Sequence, residues 1–308
     1  MFPKVSIIIL NWNGLNDTLE CLESLKKISY PNYEVIVVDN GSKGNDADIL
    51  KTKYDDYIKL IQNDNNYGFA EGNNIAIRFL LNHSNPDYFL LLNNDTIVDP
   101  QFLSELVKVA ENNKNTGIVG PKTYLYQIPD RLQLAWYKVD MYRGKAIHVG
   151  SLAYDQGQYD KITSVDYMQG SSLLIKKSVL ENVGLFDAKF FCYWEETDLC
   201  FRVKQAGYKI FYVPQAKIRH KKIANTQPWY KTILKKNKIS DYEIYYMTRN
   251  NLWFMKKHAT RNQFIIFTLY FFIIRFWFNI AMHLLYYHNF SGFKLFLHGI
   301  WDGLFNYH

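Results

Sequence analysis

The sequence has few cysteines and no cysteine motif of the kind that binds zinc. Its three cysteines are Cys21, Cys192 and Cys200, and their spacing matches neither CxxC nor any other metal-ligand pattern. An odd number of thiols also argues against a framework of disulfide bonds. A structural zinc domain and a disulfide-stabilised secreted domain are therefore disfavoured, and we expect a reducing, cytosolic setting.

The N-terminus lacks the composition of a signal peptide. The apolar part of MFPKVSIIILNWNG is too short for one and is better explained as a first strand. The chain also has no internal repeat and no low-complexity linker. At 308 residues it can bury a sizeable core, so we expect one large domain with an appendage.

Acidic residues are scarce in one part of the chain. Residues 217–261 contain 12 Lys and Arg but only 2 Asp and Glu, a balance of +10, whereas residues 1–216 contain 22 basic and 26 acidic side chains, a balance of −4. This contrast predicts a catalytic body over residues 1–216 and an appendage over residues 217–308 whose basic segment has an anionic partner. The apolar chain that follows that segment favours a membrane surface over nucleic acid.

A short apolar run that ends in polar residues lies in the first third of the chain. Residues 89–92, FLLL, are typical of a strand that is buried on both faces in a parallel sheet. The run stops at Asn93, Asn94 and Asp95. Ligands of open α/β sheets bind beyond the carboxyl ends of strands, so Asp95 stands where chemistry is expected, although it could also be a turn former. Asp99 predicts the N-cap of the next helix.

Three further strands alternate with helices ahead of this run. Residues 5–10, 35–38 and 57–61 are apolar, and amphipathic segments separate them. The alternation predicts an α/β fold, Rossmann-like, with a mostly parallel central sheet flanked by helices. Shorter strands are predicted at 117–120, 146–149, 171–175 and 208–213, with loops over the site at 127–142 and 154–166.

Asp39 ends the second predicted strand within the sequence DNGS, and two interpretations stay open. DNGS is favourable turn chemistry, but an acidic residue closing an early strand can instead hold a nucleoside base or ribose. Gly68 and Gly72 permit close backbone approach beside a predicted helix N-terminus, which suits a diphosphate. Both polar strand ends, Asp39 and the residues from Asn93 onwards, are expected at the same edge of the sheet.

Glu195, Glu196 and Asp198 crowd the first turn of a later predicted helix. The helix dipole favours carboxylates there, but capping needs only one or two. Four aromatic residues lie within positions 190–194, and carboxylates flanked by aromatic rings are typical of sugar chemistry. His220 lies in the polar segment after the strand predicted at 208–213, where a lone histidine usually has no function.

A C-terminal helix is predicted over residues 262–287, in which Arg275 is the only charged residue. One narrow polar stripe of this helix contains Thr268, Arg275, Asn279 and His283. The longest charge-free part, residues 264–274, is short for a bilayer span of about 20 residues, so we expect an in-plane helix that follows basic residues suited to anionic headgroups. The alternative is a helix that packs within the chain or in a homo-oligomer. Residues 290–301 predict a second helix.

The chain resembles a family 2 glycosyltransferase of the GT-A fold, closest to the rhamnosyltransferase-like branch. The resemblance covers about residues 4–258 and rests on seven motifs that are specific as a set. They are VSIIILNWNG, VVDNGS, NYGFAEGNN, LLNNDT, QGSSLLIKK, FFCYWEETDLCFR and IRH. Such enzymes transfer a sugar from a nucleotide-diphosphate donor to an acceptor hydroxyl with inversion at the anomeric carbon.

The resemblance implies roles for several residues. Asp39 would contact the base or ribose of the donor. Asp95 would bind Mg²⁺ or Mn²⁺ bridging the diphosphate, and His220 would be a second metal ligand or a diphosphate contact. Glu196 would take the proton from the acceptor hydroxyl, with Asp198 as the alternative base. Few protein ligands suffice for such a metal, because phosphate oxygens and water complete its shell.

The same motifs supply candidate binding residues. For the donor they are Asn11, Asn66, Gly68, Gly72, Asn73, Asn93 and Asn94, in addition to Asp39. For the acceptor they are Gly170, Trp194 and Glu195. The sequence departs from the family pattern twice: Asn93 replaces the first carboxylate of the common Asp-x-Asp, and Glu196 stands where Asp is commoner. Metal binding without donor should therefore be weak, and the reacting oxygen is displaced by about one methylene.

The resemblance implies a metal-dependent, inverting glycosyltransferase of cell-surface polysaccharide synthesis. Its donor sugar, with rhamnose as one candidate, would pass to a glycan or lipid-linked acceptor. The C-terminal helices would hold it on the cytoplasmic face of the cell membrane, as a peripheral or monotopic protein. One alternative is a nucleotidyltransferase, whose usual glycine-rich, Arg-containing loop is absent after the first strand. Another is a non-catalytic subunit that binds membrane or glycan, against which Asp95, Glu196 and Asp198 argue.

Overall fold

The computed structural model describes residues 2–221 and 240–306, which fall into two compact units. The first unit contains residues 2–137, 148–191 and 195–221, and the second contains residues 138–147, 192–194 and 240–306. Part of the predicted basic segment, residues 222–239, lies outside the described residues. The predicted domain boundary after residue 216 stays a prediction.

The described residues form twelve strands, and ten of them make one sheet. The strands are β1 (Val5–Asn11), β2 (Tyr33–Asn40), β3 (Ile58–Asn63), β4 (Tyr88–Asn93), β5 (Thr96–Val98), β6 (Thr116–Leu125), β7 (Leu132–Leu134), β8 (Trp136–Asp140), β9 (Lys145–Val149), β10 (Thr163–Ser164), β11 (Ser172–Lys176) and β12 (Lys209–His220). The large sheet has the order β10–β12–β6–β11–β4–β1–β2–β3, with β5 beside β12 and β7 beside β6, while β8 and β9 pair separately.

Helices of the first unit alternate with its strands. They are α1 (Leu15–Leu25), α2 (Asp46–Tyr54), α3 (Gly68–His83), α4 (Phe102–Asn112), α5 (Lys177–Val183) and α6 (Glu195–Gln205). Strands β1 to β4 are mutually parallel, and β11 enters antiparallel between β4 and β6. This arrangement confirms the predicted α/β fold with its mostly parallel sheet.

The centre of the sheet is apolar because its two middle strands are almost uninterrupted apolar runs. Ile7, Ile8 and Ile9 of β1 are fully buried, as are Leu90 and Leu91 of β4. A strand with buried side chains on both faces needs helices on both faces of the sheet, and the βα alternation provides them. The apolar runs therefore fix which strands are central, and polar residues remain at their ends.

Three predictions about the later part of the sheet are wrong. The predicted loop at 127–142 contains β7 and β8, and the predicted loop at 154–166 contains β10. Strand β12 continues to His220 instead of ending at residue 213. Its register against β6 shifts between Val213 and Lys217, so the chain around Pro214 bulges and then resumes pairing. His220 is thus the last residue of a strand, paired with Thr96 of β5.

The ends of two predicted helices are set by local side-chain and backbone preferences. Asp99 does not cap α4 directly: its Oδ1 accepts a hydrogen bond from the Gln101 N–H at 3.0 Å, in a turn that precedes the helix at Phe102. Gly207, at φ +87°, follows α6 in the left-handed region that terminates helices, as predicted. The position of α6 matters most, because it carries the candidate carboxylates.

The second unit is built mainly from three helices. They are α7 (Asp241–His258), α8 (Arg261–Tyr286) and α9 (Phe290–Phe305). Ser240 caps α7, Thr260 and Gln263 form a capping box on α8, and Asn289 caps α9. The predicted C-terminal helices are confirmed. α8 is long and apolar enough to cross a membrane, and only 11% of its most apolar window is buried.

Helix α8 has polar side chains of its stripe inside the unit, beside the buried rings of Phe267 and Phe271, and other apolar side chains outside. Arg275 donates to Asn251 Oδ1 of α7 at 2.6 Å, and His283 is buried beside the ring of Phe296 of α9. Ile273 and Trp277 are 66% and 62% exposed. Large apolar side chains on the outer face are unusual for a helix on a water-soluble surface.

Glycines allow α9 to lie close against α7. A Cβ added to Gly299 would lie 2.8 Å from the Tyr245 carbonyl oxygen, and one added to Gly303 would lie 2.6 Å from a methyl group of Leu252. Any side chain at these two positions would push the helices apart. The polar stripe of α8 packs against this close pair of helices, through Arg275 on α7 and His283 on α9.

Candidate active site

Parallel register brings the polar ends of three strands to one level. Asn11 at the end of β1 pairs with Asp39 of β2, and Leu10 pairs with Asn93 of β4. In parallel strands the carboxyl ends lie at the same edge, and this edge is where ligands of open α/β sheets bind. The predicted grouping of Asp39 with Asn93 along the sheet edge is thus observed in the structure.

Asn11 organises the first part of this edge. Its Nδ2 lies 2.8 Å from Asp39 Oδ1 and 3.0 Å from Asp46 Oδ2, and its Oδ1 accepts from Thr18 Oγ1 at 2.8 Å. The Ser42 N–H donates to the other oxygen of Asp39 at 3.3 Å. A carboxylate accepts about four hydrogen bonds, so Asp39 retains capacity for a ribose hydroxyl or a base N–H.

The segment before α3 is shaped by neighbouring side chains. Asn66 Oδ1 accepts from the Gly68 N–H at 2.8 Å and from Asn40 Nδ2 at 3.1 Å. Gly68 has φ +76°, and an added Cβ would lie 2.5 Å from the carbonyl oxygen of Phe191. The backbone that approaches Gly68 closely is therefore that of Phe191. This close contact is sufficient reason for a glycine at position 68, without a bound diphosphate. The donor-binding role of Gly68 stays a prediction.

Three other predicted donor residues are used in packing. Gly72 leaves room for Leu10, whose methyl groups would lie 3.2 Å from an added Cβ. Asn73 Nδ2 donates to the Phe69 carbonyl within α3 at 2.8 Å. Asn94 Nδ2 donates to Thr18 Oγ1 at 3.0 Å, which ties the turn after β4 to α1. These contacts hold the edge in place, and contact with a donor stays a prediction for all three.

Asp95 and His220 meet at the end of β4. Their closest atoms, Asp95 Oδ1 and His220 Nε2, are 2.9 Å apart. The pairing of β12 with β5 brings His220 beside this turn, and the Lys221 N–H donates to the Asp95 carbonyl oxygen at 2.9 Å. His220 Nδ1 lies 2.8 Å from Oε1 of Gln133, a fully buried residue of β7. Sequence patterns placed His220 in a loop and gave no sign of Gln133.

The Asp95–His220 pair fits a divalent cation that is shared with a ligand. No cluster of three or more Asp, Glu, His or Cys side chains able to hold a metal occurs in residues 2–221 and 240–306. One carboxylate oxygen and one imidazole nitrogen leave four positions of an octahedral shell for phosphate oxygens and water. The pair therefore suits a metal that arrives with a diphosphate better than a resident structural ion.

Glu195 and Glu196 begin α6 with carboxyl groups removed from water. Among the described residues, Oε2 of Glu195 and Oε2 of Glu196 are buried without a hydrogen-bond partner. Burial raises the pKa of Glu196 above the usual value of a glutamate, although the N–H groups of Thr197 and Gly170 oppose this effect. Burial, with the Glu196 carboxylate beside it, raises the pKa of Glu195 well above that value. A carboxyl group of raised pKa with a free oxygen is suited to accepting a proton.

Asp198, the third carboxylate of α6, has a firm partner. Arg202 Nε donates to Asp198 Oδ2 at 2.8 Å, and Asp198 is fully buried. The same guanidinium donates to the carbonyl oxygens of Val183 and Leu185, each at 2.7 Å. Asp198 thus helps to join α6 to the chain after α5, which favours a structural role over that of the base.

The residues from Gln169 to Ser172 connect Glu196 with the end of β4. The Gly170 N–H donates to the Glu196 carboxylate, and the Asn93 N–H donates to the Ser171 carbonyl oxygen at 2.9 Å. Within the described chain, Gln169 Oε1, Ser171 Oγ and Ser172 Oγ are buried without partners. These three polar groups were not singled out from the sequence, although QGSS directly precedes an apolar strand. Their free hydrogen-bonding capacity could serve a sugar hydroxyl.

Trp194 belongs to the second unit and is positioned there by α7. Its ring packs on Phe254 with centroids 4.9 Å apart, and Asn250 Nδ2 donates to the carbonyl oxygens of Cys192 and Tyr193, each at 2.8 Å. Tyr193 and Trp194 both have positive φ, at 66° and 73°. Strained backbone of this kind persists only where surrounding contacts hold it. The acceptor role of Trp194 stays a prediction.

Comparison with known proteins gives a consistent similarity. A family model described as "Glycosyltransferase like family 2" matches residues 3–252. The low-salt glycan biosynthesis hexosyltransferase Agl10 of Haloferax volcanii is 27% identical over 211 residues, which cover 68% of this chain and 64% of that protein. The chain thus spans less than two thirds of this relative.

Two further relatives are named as rhamnosyltransferases. WbbL of Escherichia coli K12 is 28% identical over 68% of this chain and 80% of that protein. The N-acetylglucosaminyl-diphospho-decaprenol L-rhamnosyltransferase of Mycobacterium tuberculosis is 26% identical over 67% and 72%, respectively.

Two solved structures share the fold at low sequence identity. The mannosyltransferase PcManGT of Pyrobaculum calidifontis, in complex with GDP-Man and Mn²⁺, has a TM-score of 0.60 and 13% identity, over 100% of this chain and 89% of that one. GalNAc-T7 with UDP, GalNAc and Mn²⁺ also has a TM-score of 0.60, with 14% identity over 92% and 58%. Both comparisons support the fold.

The buried carboxyl of Glu195 should make stability depend on pH. Its pKa is raised in the folded state, so between the unfolded and folded pKa values the native chain holds a proton that the unfolded chain has lost, and stability falls as pH rises above about 4.5. Glu195→Gln removes the ionisable group and with it this loss of folding stability. Relative to the native chain, it should be more stable at pH 7.5 and almost equally stable at pH 4.

Urea unfolding at both pH values measures this difference. Glu181→Gln, on an exposed face of α5, is the control and should show no such pH-dependent gain. Equal effects of Glu195→Gln at pH 4 and pH 7.5 would contradict the raised pKa.

Proposed function

The chain belongs to the family 2 glycosyltransferases, and we propose that it transfers a sugar from a nucleotide-diphosphate donor to a hydroxyl group of a glycan or lipid-linked acceptor, with inversion at the anomeric carbon. One observation carries the proposal. The Gly170–Ser171 dipeptide bonds Glu196 on one side and the end of β4 on the other, two residues before Asp95. This link would hold the proposed proton acceptor and the proposed diphosphate site together.

Donor binding is proposed for the sheet edge. Asp39 would accept a hydrogen bond from the ribose or base, in an orientation set by Asn11 and Ser42. Asp95 and His220 would hold Mg²⁺ or Mn²⁺ against the diphosphate, and both structural neighbours were crystallised with Mn²⁺. When bound, such a cation stabilises negative charge on the departing diphosphate.

Glu196 is proposed as the base. Its free Oε2 would take the proton of the acceptor hydroxyl while that oxygen forms a bond to the anomeric carbon. The bond from the anomeric carbon to the diphosphate oxygen breaks at the same time, and the electron pair leaves with the diphosphate. Attack opposite the leaving group inverts the configuration. Burial raises the pKa of Glu195 well above its usual value, and in its protonated form this carboxyl group would donate a hydrogen bond to the acceptor.

The relatives guide the choice of substrates. Two of them are named as rhamnosyltransferases, so rhamnose is our first candidate for the donor sugar. One relative is named for a diphospho-decaprenol acceptor, which favours a lipid-linked acceptor and a place in cell-surface polysaccharide synthesis.

The second unit is proposed to bind the cytoplasmic face of the cell membrane. Helix α8 directs Ile273 and Trp277 outwards and its polar stripe inwards, as expected of a helix immersed at an apolar boundary. Lys256, Lys257 and Arg261 precede or begin this helix and would attract anionic headgroups at about 1 kcal/mol each. A homo-oligomer in which α8 covers a second copy is the competing arrangement.

Replacing the proposed base should abolish most turnover while leaving donor binding intact. Glu196→Gln retains size and hydrogen bonding but accepts no proton, so kcat should fall by about 10²–10⁴. In the native chain, kcat should increase as pH rises through the raised pKa of Glu196. The assay is sugar transfer and slow hydrolysis with a panel of nucleotide sugars that includes activated rhamnose.

Asp198→Asn is the informative companion variant. Near-normal turnover of Glu196→Gln, together with loss of turnover in Asp198→Asn, would move the base to Asp198. Absence of transfer and hydrolysis with every nucleotide sugar in the panel would count against the proposed activity.

Removing the Asp95 carboxylate should abolish transfer without unfolding the protein. Asp95→Asn keeps the shape of the side chain but removes its charge, so activity in Mn²⁺ or Mg²⁺ should fall to background. Chelator should have the same effect on the native enzyme, and added metal should restore it. Asp99→Asn, four residues away in a turn, is the control and should stay active. Full activity in chelator would remove the metal from this mechanism.

Charges placed on the outer face of α8 should release the protein from lipid. Ile273→Glu with Trp277→Glu should lower flotation with vesicles of phosphatidylglycerol and phosphatidylethanolamine by at least about tenfold, because a buried charge is costly in lipid. Ile128→Glu, at a 42% exposed residue of the first unit, is the control. Unchanged flotation of the double variant would refute membrane docking through α8, and a change in oligomeric state instead would favour the homo-oligomer.

A further inference from the structure

We propose that Gln133 is a positioning residue that holds the imidazole of His220 with its Nε2 lone pair directed at the cation site. The inference rests on the proposed function, because it assigns the cation to Asp95 and His220. It adds a residue from β7 that makes no contact with the substrates in our proposal.

The contact between Gln133 and His220 is short, and both side chains are buried from solvent. Gln133 Oε1 lies 2.8 Å from His220 Nδ1, and the two residues are 0% and 3% exposed. When Nδ1 carries the proton, it donates to this amide oxygen, which can only accept hydrogen bonds. In a neutral imidazole the other nitrogen, Nε2, then carries the lone pair.

The opposite side of the ring has the geometry of two neighbouring metal ligands. His220 Nε2 and Asp95 Oδ1 are 2.9 Å apart. Two ligands at about 2.1 Å from one cation and at right angles to each other are separated by about 3 Å. The ring orientation held by Gln133 would therefore let this nitrogen and oxygen bind one cation side by side.

Both ends of the arrangement are fixed by strand pairing. Gln133 lies between Leu132 and Leu134, which pair with β6. His220 pairs with Leu125 of β6 and with Thr96 of β5. Because β6 adjoins both β7 and β12, the distance between the amide and the ring is set by the sheet. A ligand imidazole whose second nitrogen is held in this way typically binds metal 10- to 100-fold more tightly.

The test measures metal binding in the absence of any sugar nucleotide, where we expect the native chain to bind weakly, so the titration covers a wide range of Mn²⁺ concentrations. Mn²⁺ alone is titrated into the full chain, and the free ion is followed by its electron spin resonance signal. Gln133→Met, which is similar in length but has no acceptor oxygen, should weaken Mn²⁺ binding by about 10- to 100-fold. Gln133→Glu, which keeps an acceptor oxygen, should bind at least as tightly as the native chain. Equal weakening in both variants would overturn the proposal.

A double-variant cycle separates positioning from general damage to the fold. In a His220→Ala background there is no ring to orient, so Gln133→Met should cause almost no further loss of Mn²⁺ affinity. A loss as large as that in the native background would show that Gln133 acts through the fold, and the proposal would be wrong.

Direct observation of the tautomer serves if Gln133→Met does not fold. Nitrogen-15 spectra of the Mg²⁺-loaded native chain should show the proton of His220 on Nδ1, and a proton on Nε2 would overturn the proposal. These measurements are independent of turnover. Failure of sugar transfer with intact Mn²⁺ binding would count against the proposed function alone.

Discussion

The site depends on the register between β1 and its two parallel neighbours. Pairing of Asn11 with Asp39 and of Leu10 with Asn93 brings three polar strand ends level, although 28 to 82 residues separate them from Asn11 along the chain. A shift of one residue in either pairing would turn the polar ends towards the other face. The buried apolar runs prevent that shift, because it would also move their side chains. The hydrophobic core and the site are thus determined by the same pairing.

The carboxyl groups in the first turn of α6 differ in whether their buried oxygens have hydrogen-bond partners. Glu195 and Glu196 each keep a buried oxygen without a partner, while Asp198 two residues later is neutralised by Arg202. Buried polar groups without partners are normally rare because desolvation penalises them. In the first turn of α6, Glu195 and Glu196 are therefore the carboxyl groups available for chemistry. Asp198, which is paired with Arg202, stabilises the fold.

Much of this architecture was predictable because its signals are local. Apolar runs that stop at polar residues identified β1, β2 and β4, and the clustered carboxylates identified the start of α6. The end of β12 was missed, because Pro214 suggests a strand end whereas the chain bulges and then resumes pairing. The alternation of Ala216, Ile218 and His220 was the available signal, since all three are buried.

Other parts of the site could not be predicted from local patterns. The contact of Gln133 with His220 depends on two strands that adjoin a third, and 87 residues separate the two side chains. Likewise, the backbone next to Gly68 is that of Phe191, far away in the chain. A glycine in a polar segment indicates that another group approaches the backbone closely, but the sequence does not show which group it is.

The glycine contacts between α9 and α7 affect how this helix pair would behave at a membrane surface. Helices that associate by excluding water lose that driving force once hydrocarbon surrounds them, whereas dispersion contacts between closely spaced backbones act in either solvent. Gly299 and Gly303 permit contacts of this second kind. The helix pair can therefore keep its geometry whether its outer surface meets water or acyl chains, which would let the same fold exist before and after adsorption.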